Sequence, residues 1–163
     1  MEAVSSSYFT YNKAKVIQAL RYHFISRKEI KVLMILVNVF AVVSAGMYFY
    51  HKISPLAFLL SSTLWFILMF VFWYLLPLTI YKRAATFRDK FRANFNSYGF
   101  GIENERGSRS WEWKEFTDWM ETPNFFHLYF NSRSFFIVPK DAFAEDDVHI
   151  ARTWMKEKIR KVS

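Results

Sequence analysis

Two long uncharged runs limit what this chain can fold into. From Val32 to Tyr50, 19 residues pass without a charged side chain, interrupted only by Asn38, Ser44 and Gly46. After His51-Lys52, Ile53 to Tyr81 adds 29 more. The hydrocarbon core of a bilayer is about 30 Å thick, and about 20 helical residues cross it. A core helix in a domain this small would not stay apolar on every face for so long. The runs therefore predict a transmembrane hairpin over residues 31–81, with spans at about 32–50 and 54–78. The first run starts too late and is too long for a cleavable signal, and no small-residue cleavage site follows it, so a retained anchor is expected.

The charge distribution predicts an orientation. Residues 1–31 carry six basic side chains (Lys13, Lys15, Arg21, Arg27, Lys28, Lys31) against Glu2 and Glu29. Residues 82–163 carry 15 basic and 12 acidic side chains, and Lys52 supplies the last unit of the net +8. Basic residues gather on the cytoplasmic side of a span. Both termini are thus expected in the cytoplasm, with the His51–Pro55 turn outside. Tyr48, Phe49 and Tyr50 at one end, and Trp73, Tyr74 and Tyr81 at the other, fit interfacial aromatic belts. Pro55 suits a first helical turn, and Pro77 is expected to kink or end the second helix.

Asn38 is the strongly polar side chain deep in a span. It can hydrogen-bond between helices, fixing packing or an oligomer, or be satisfied locally within one hairpin. Such bonds average about 0.6 kcal/mol, which favours the local reading. No ionisable residue lies mid-span, which argues against an ion or proton pathway.

The flanks read differently. Residues 1–30 form an N-terminal cytoplasmic segment: an extended piece from Ser7 to Thr10, then an amphipathic helix through Ala14, Ile17, Leu20, Tyr22 and Phe24. Beyond residue 82 the hydrophobic period changes to two. Phe91, Ala93 and Phe95 alternate with polar residues, and so do Phe126, Leu128 and Phe130, which is the pattern of half-buried strands. Turns are expected at Ser97–Gly99, Glu103–Gly107, Pro123-Asn124 and Asn131–Arg133. After Pro139 a helical stripe runs through Val148, Ala151, Met155, Ile159 and Val162, widened by Trp154. Acidic residues occupy its first turn, and Lys156, Lys158, Arg160 and Lys161 its last, both favoured by the helix dipole. The fold class expected is an α+β membrane protein. A two-helix hairpin is followed, over 82–163, by an antiparallel β domain of about five strands, pleckstrin-homology-like, closed by a C-terminal amphipathic helix.

Chemical motifs are sparse. There is no cysteine, which excludes disulfides, thiolate catalysis and Cys-ligated metals. His23, His51, His127 and His149 lack ligand spacing. The pairs Glu103/Glu105 and Asp118/Glu121 could act as acid and base, but solvated strand charges explain them more simply. Gly99-Phe100-Gly101 lacks the rest of a nucleotide fingerprint. Trp111, Trp113 and Trp119 with Arg106, Arg109 and Lys114 mix aromatic and basic groups as single-strand nucleic-acid binders do, yet Glu112 and other acids interleave. Core packing is the simpler reading, and no nucleic-acid partner is expected. No catalytic residue, cofactor or metal is expected either.

A resemblance emerges from several blocks: Gly101-Ile102, Gly107-Ser108, Trp111 to Phe116, Glu121-Thr122, Phe125 to Tyr129, and Phe136 to Phe143. With the lead-in from Tyr8 to Ile30, they resemble the YcxB-like family of small bacterial two-span membrane proteins. The resemblance implies a bacterial inner-membrane location and brings no established reaction, cofactor or catalytic residue. The function expected is a non-enzymatic interaction or regulatory module, such as an accessory subunit or immunity-type protein. The partners expected are the lipid bilayer and a protein of unknown identity, with a homo-oligomer left open. The alternative is anionic headgroup binding through Lys82, Arg83, Arg88, Lys90 and Arg92, a juxtamembrane basic cluster that topology alone also requires.

Overall fold

A computed structural model describes residues 3–132 and 134–159. Two compact units result: the segment up to Ala19 together with the chain from Ala84 onward, and Leu20–Arg83.

The second unit is a helical hairpin. After α1 (Lys13–Ser26) comes α2 (Lys28–Phe49), then α3, continuous over Pro55–Arg83. α2 and α3 are each long and apolar enough to cross a membrane, and the most apolar stretch of α3 buries none of its residues. α2 ends in a Schellman motif: the Lys52 N–H reaches the Met47 carbonyl and the His51 N–H reaches Tyr48, each at 2.8–3.0 Å. His51 takes the left-handed position with φ 53°, which histidine tolerates better than most non-glycine residues. Ser54 caps α3 by accepting from the Ala57 N–H, with Pro55 at its first position.

Side-chain contacts join the helices of the hairpin. The Ser44 and Ser61 hydroxyls lie 2.6 Å apart. Ser61 gives its proton to the Phe58 carbonyl, so Ser44 is the donor between the helices. Tyr48 and Phe58 stack with centroids 4.5 Å apart.

Pro77, expected to kink or end the helix, does not end it. α3 runs on to Arg83, and a π-helical turn at Val71–Leu75 precedes the proline. Pro77 lacks the N–H that would close onto the Trp73 carbonyl. Arg21 Nε donates to that carbonyl at 2.9 Å, and its guanidinium lies 5.1 Å from the Trp73 ring centroid.

The first unit is a β domain that begins before the hairpin. β1 (Ala3–Ser5) pairs antiparallel with β2 (Arg92–Asn96), placing Val4 opposite Phe95. β3 (Gly99–Asn104) and β4 (Gly107–Glu112) complete a sheet in the order β1-β2-β3-β4. β5 (Asp118–Glu121), β6 (Phe125–Tyr129) and β7 (Phe135–Pro139) form a second antiparallel sheet. The helix α4 (Glu145–Lys158) closes the order. Among the described residues, 92–139 thus hold six strands rather than about five, and β1 adds a seventh from the N-terminal segment, where extension is expected only at Ser7–Thr10. Three residues are too few to show a period, and the partner of β1 lies beyond the whole hairpin.

Alternation sets the core. Phe91, Ala93 and Phe95 point inward with Phe100, Trp111, Trp119, Phe126, Leu128 and Val138, and α4 adds Ala151, Met155 and Ile159. The expected stripe of the C-terminal helix therefore holds through Ile159. Val162, Arg160 and Lys161 lie outside the described residues, as does Arg133 of the turn expected at Asn131–Arg133. Gly99 packs directly against the Trp111 carbonyl, leaving no room for a Cβ.

The lead-in differs from its expected pattern in two ways. Extension at Ser7–Thr10 is confined to a bridge between Phe9 and Phe91. The buried stripe of α1 is Val16, Ala19, Leu20 and His23, while Ala14 and Tyr22 are exposed. Spacing of three and four fits both registers, so the sequence alone does not choose between them. The Tyr11 hydroxyl bonds the Ile137 carbonyl at 2.8 Å, Lys15 pairs with Asp141 at 2.6 Å, and Asn124 reaches Gln18 at 3.4 Å. These three contacts tie the lead-in to the second sheet.

Ser6 secures the crossing from β1. It is 3% exposed, and its hydroxyl accepts the Ala93 N–H at 2.9 Å. Replacing it with alanine orphans a buried N–H, a loss of about 1–3 kcal/mol. A Ser6→Ala chain should show a lower midpoint in near-UV circular dichroism melts of the whole protein in detergent. An unchanged midpoint would mean the bond contributes nothing.

Candidate functional site

The five cations expected to form one basic cluster divide between the two units. Lys82 and Arg83 occupy the last turn of α3, whereas Arg88, Lys90 and Arg92 belong to the β domain. The bridge between Phe9 and Phe91 sets the geometry on the β-domain side. It turns both rings into the core and leaves their neighbours outside, so Tyr8 meets Lys90 and Arg92. Lys90 Nζ lies 5.5 Å, and Arg92 Cζ 6.0 Å, from the Tyr8 ring centroid. Tyr8 is half exposed, and its hydroxyl donates to Glu103 Oε1 at 2.5 Å. That bond, to a carboxylate that disfavours a phenolate beside it, raises the Tyr8 pKa. Glu103 is also the register partner of Arg92 across β2 and β3. Asp89, next to Lys90 in sequence, pairs with Arg106 at 3.3 Å. The result is an exposed aromatic ring flanked by cations and held at its hydroxyl by one carboxylate.

Asn38, the residue singled out for interhelical packing, does two things at once. Its Nδ2 donates to the Met34 carbonyl one turn back at 2.7 Å, and its Oδ1 accepts from Trp65 Nε1 of α3 at 3.4 Å. The short bond is the local one.

A buried-edge ion cluster escaped the sequence reading. Arg152 on α4 makes a two-pronged contact with Glu121 at the end of β5, Nε to Oε2 at 2.9 Å and Nη2 to Oε1 at 2.8 Å. Lys140, after β7, adds a third bond to Oε1 at 3.1 Å and lies over the Phe126 ring. Chiefly the Arg152 hydrogen bonds, with help from Lys140, pull the Glu121 carboxyl down to about 2. The Glu121 oxygens are directed to Arg152 and Lys140, and no bond joins them to Asp118 among those described. Glu121 and Lys140 stand in two of the blocks that carry the family resemblance, but nothing in their spacing points to Arg152.

The remaining candidates sit apart. Trp111, Trp113 and Trp119 are at most 8% exposed, and Trp113 Nε1 donates to the Asn96 carbonyl; their faces belong to the core. His127 is buried in β6 beside Thr122, His149 is exposed on α4, and His51 is in the hairpin turn. Burial, with the nearby Arg27 charge adding to it, lowers His23 to about 4. Among the described residues no three His, Asp or Glu side chains are grouped as a metal would require.

Residues 95–155 match the family model described as YcxB-like protein, the family that the sequence resembles. The match runs from β2 into α4, so the Glu121–Lys140–Arg152 cluster lies wholly within it. No curated protein and no solved structure matches the chain.

The Glu121 cluster makes an acid-stability prediction. A carboxyl whose folded pKa is depressed contributes stability above its unfolded value and loses it as pH falls through the folded one. For Glu121 that window runs from about 4.5 down to about 2. Acid titration of the folded whole chain should therefore show a loss of stability across that window that is smaller in Glu121→Gln. Identical slopes would remove the cluster from the acid response.

Proposed function

We propose that this chain is a two-span protein of the bacterial inner membrane, with both termini cytoplasmic, whose pleckstrin-homology-like β domain is a non-catalytic docking or regulatory module. One observation carries the reading: a single β domain is interrupted, between its first two strands, by a hairpin of two uncharged helices. The pairing of β1 with β2 supports a chain that leaves and re-enters the domain on one side of the membrane, with an even number of crossings and both termini on one face. Lys28 and Lys31 in the first turn of α2, with Lys82 and Arg83 ending α3, support the cytoplasmic face for that side. The four-plus-three strand order with a closing helix supports the pleckstrin-homology-like plan. The polar machinery of the domain supports a binding role over a chemical one, since Glu121 holds α4 to β5 and Glu103 holds Tyr8. An accessory subunit of a membrane complex and an immunity-type protein are both forms of this module.

The protein has no native cysteine, which makes topology directly measurable. In whole cells, Lys52→Cys should react with a membrane-impermeant maleimide and Lys156→Cys only after lysis. Equal labelling of both would overturn the two-span reading. Purification in gentle detergent should then retain a stoichiometric protein partner, whose absence counts against the docking module.

A second reading rests on the Tyr8 surface: Lys90 and Arg92 flanking an exposed ring suit an anionic headgroup. Each surface cation contributes about 1 kcal/mol of attraction to an anionic leaflet. A Lys90→Gln/Arg92→Gln double variant of the full chain should lose roughly 30-fold in its preference for anionic over zwitterionic lipid in nanodiscs, about 2 kcal/mol. An unchanged preference sinks lipid recognition at this site.

A further inference from the structure

Asn38 lies midway between Lys28 and Phe49, the ends of α2, and its side chain is on the exposed surface of the hairpin. A carboxamide has two N–H donors and an oxygen with two lone pairs. One N–H goes to Met34 and one lone pair to Trp65, which leaves a donor and an acceptor of Asn38 without a partner among the described residues. Beside the amide a recess of about 340 Å³ opens along the hairpin. Asn38, Ala41 and Ala45 of α2 line it, facing Ser62, Trp65 and Phe66 of α3. The α2 residues recur at three- and four-residue steps and so form one face. The alanines keep the α2 wall low enough for another helix to approach closely.

In hydrocarbon no water satisfies the remaining amide donor, and acyl chains accept no hydrogen bond. The complement must be a polar group carried at the same depth by another membrane segment. A second copy of this chain supplies one by symmetry, because its own Asn38 sits at that depth with the matching donor and acceptor. Two carboxamides about a twofold axis exchange both bonds, which is the self-complementarity an isologous interface needs.

We propose that two copies of this protein associate in the bilayer through the recessed α2 face, with their Asn38 carboxamides hydrogen-bonded to each other at the centre of the interface. This rests on the membrane-spanning reading given above. The small residues permit the approach and the amides set the register, as polar side chains do between membrane helices.

The test uses full-length protein, labelled separately with donor and acceptor fluorophores at Lys156→Cys and reconstituted in lipid vesicles at increasing lipid-to-protein ratio. Wild-type protein should show energy transfer that falls on dilution along a dimer curve. Asn38→Leu, which removes both amide–amide bonds together with the Trp65 bond inside the hairpin, should weaken dimerisation about 8- to 300-fold, twice the free energy measured for single interhelical hydrogen bonds. Ala45→Trp, which fills the recess, should weaken it further. Protein that resists alkaline carbonate extraction yet shows no transfer at any density would overturn the dimer alone. Unchanged dimerisation in both variants would overturn the proposed face. Protein stripped from the membrane by carbonate would overturn the spanning reading and the dimer with it.

Discussion

The antiparallel ladder between β1 and β2 is the constraint on which the rest of the structure depends. It pairs Ala3–Ser5 with Asn94–Asn96, strands separated in sequence by the complete hairpin. Val4 and Phe9 enter the same core as Phe95, Phe100 and Met155, so the segment before the hairpin is part of the domain that follows it. Joining such distant segments costs loop-closure entropy, but the cost rises only slowly with length, and a helical hairpin between them is far shorter end to end than a flexible loop. The ladder, the Ser6–Ala93 bonds and the Phe9–Phe91 bridge share the work of closing it.

Several polar groups in the helical unit have specific partners. Pro77 deprives the Trp73 carbonyl of its usual donor, and Arg21 supplies one while its guanidinium covers the indole. Ser44 and Ser61 bond across the hairpin, and Asn38 divides its amide between its own helix and Trp65. A bond between two groups in a low-dielectric setting matters chiefly because leaving either unpaired is costly. The hairpin's geometry follows from meeting these few demands, since its apolar side chains would pack in many ways.

In the β domain the aromatic residues do structural work. Nearly every ring from Phe91 to Phe136 touches another, Trp111 meeting Phe100, Phe130 and Phe136 in turn. The Glu121–Arg152–Lys140 cluster locks α4 over this core at its edge, where a two-pronged arginine contact gives direction that hydrophobic packing lacks. Tyr8 between two cations and the β4 edge lie on the outside of the domain.

Much of the architecture was legible in the sequence because it depends on patterns that repeat. Uncharged runs of 19 and 29 residues, the alternation at Phe91–Phe95, and the stripe from Val148 to Ile159 each carry the same message many times over, so no single residue has to be interpreted. The lengths of the two membrane-capable helices, the antiparallel strands and the closing helix follow from local periodicity and solvent preference. The tertiary structure alone decided what rests on contacts between distant segments. β1 is three residues whose meaning comes from Phe95, Arg152 finds Glu121 from 31 positions away, and the register of α1 depends on which side of it is covered. Unit membership is likewise a matter of contacts: Lys82 and Arg83 fall in the helical unit, and Arg88, Lys90 and Arg92 in the β domain. Local physics sets what each segment can become; only the long-range pairing of strands and charges, which no period encodes, sets which segments meet.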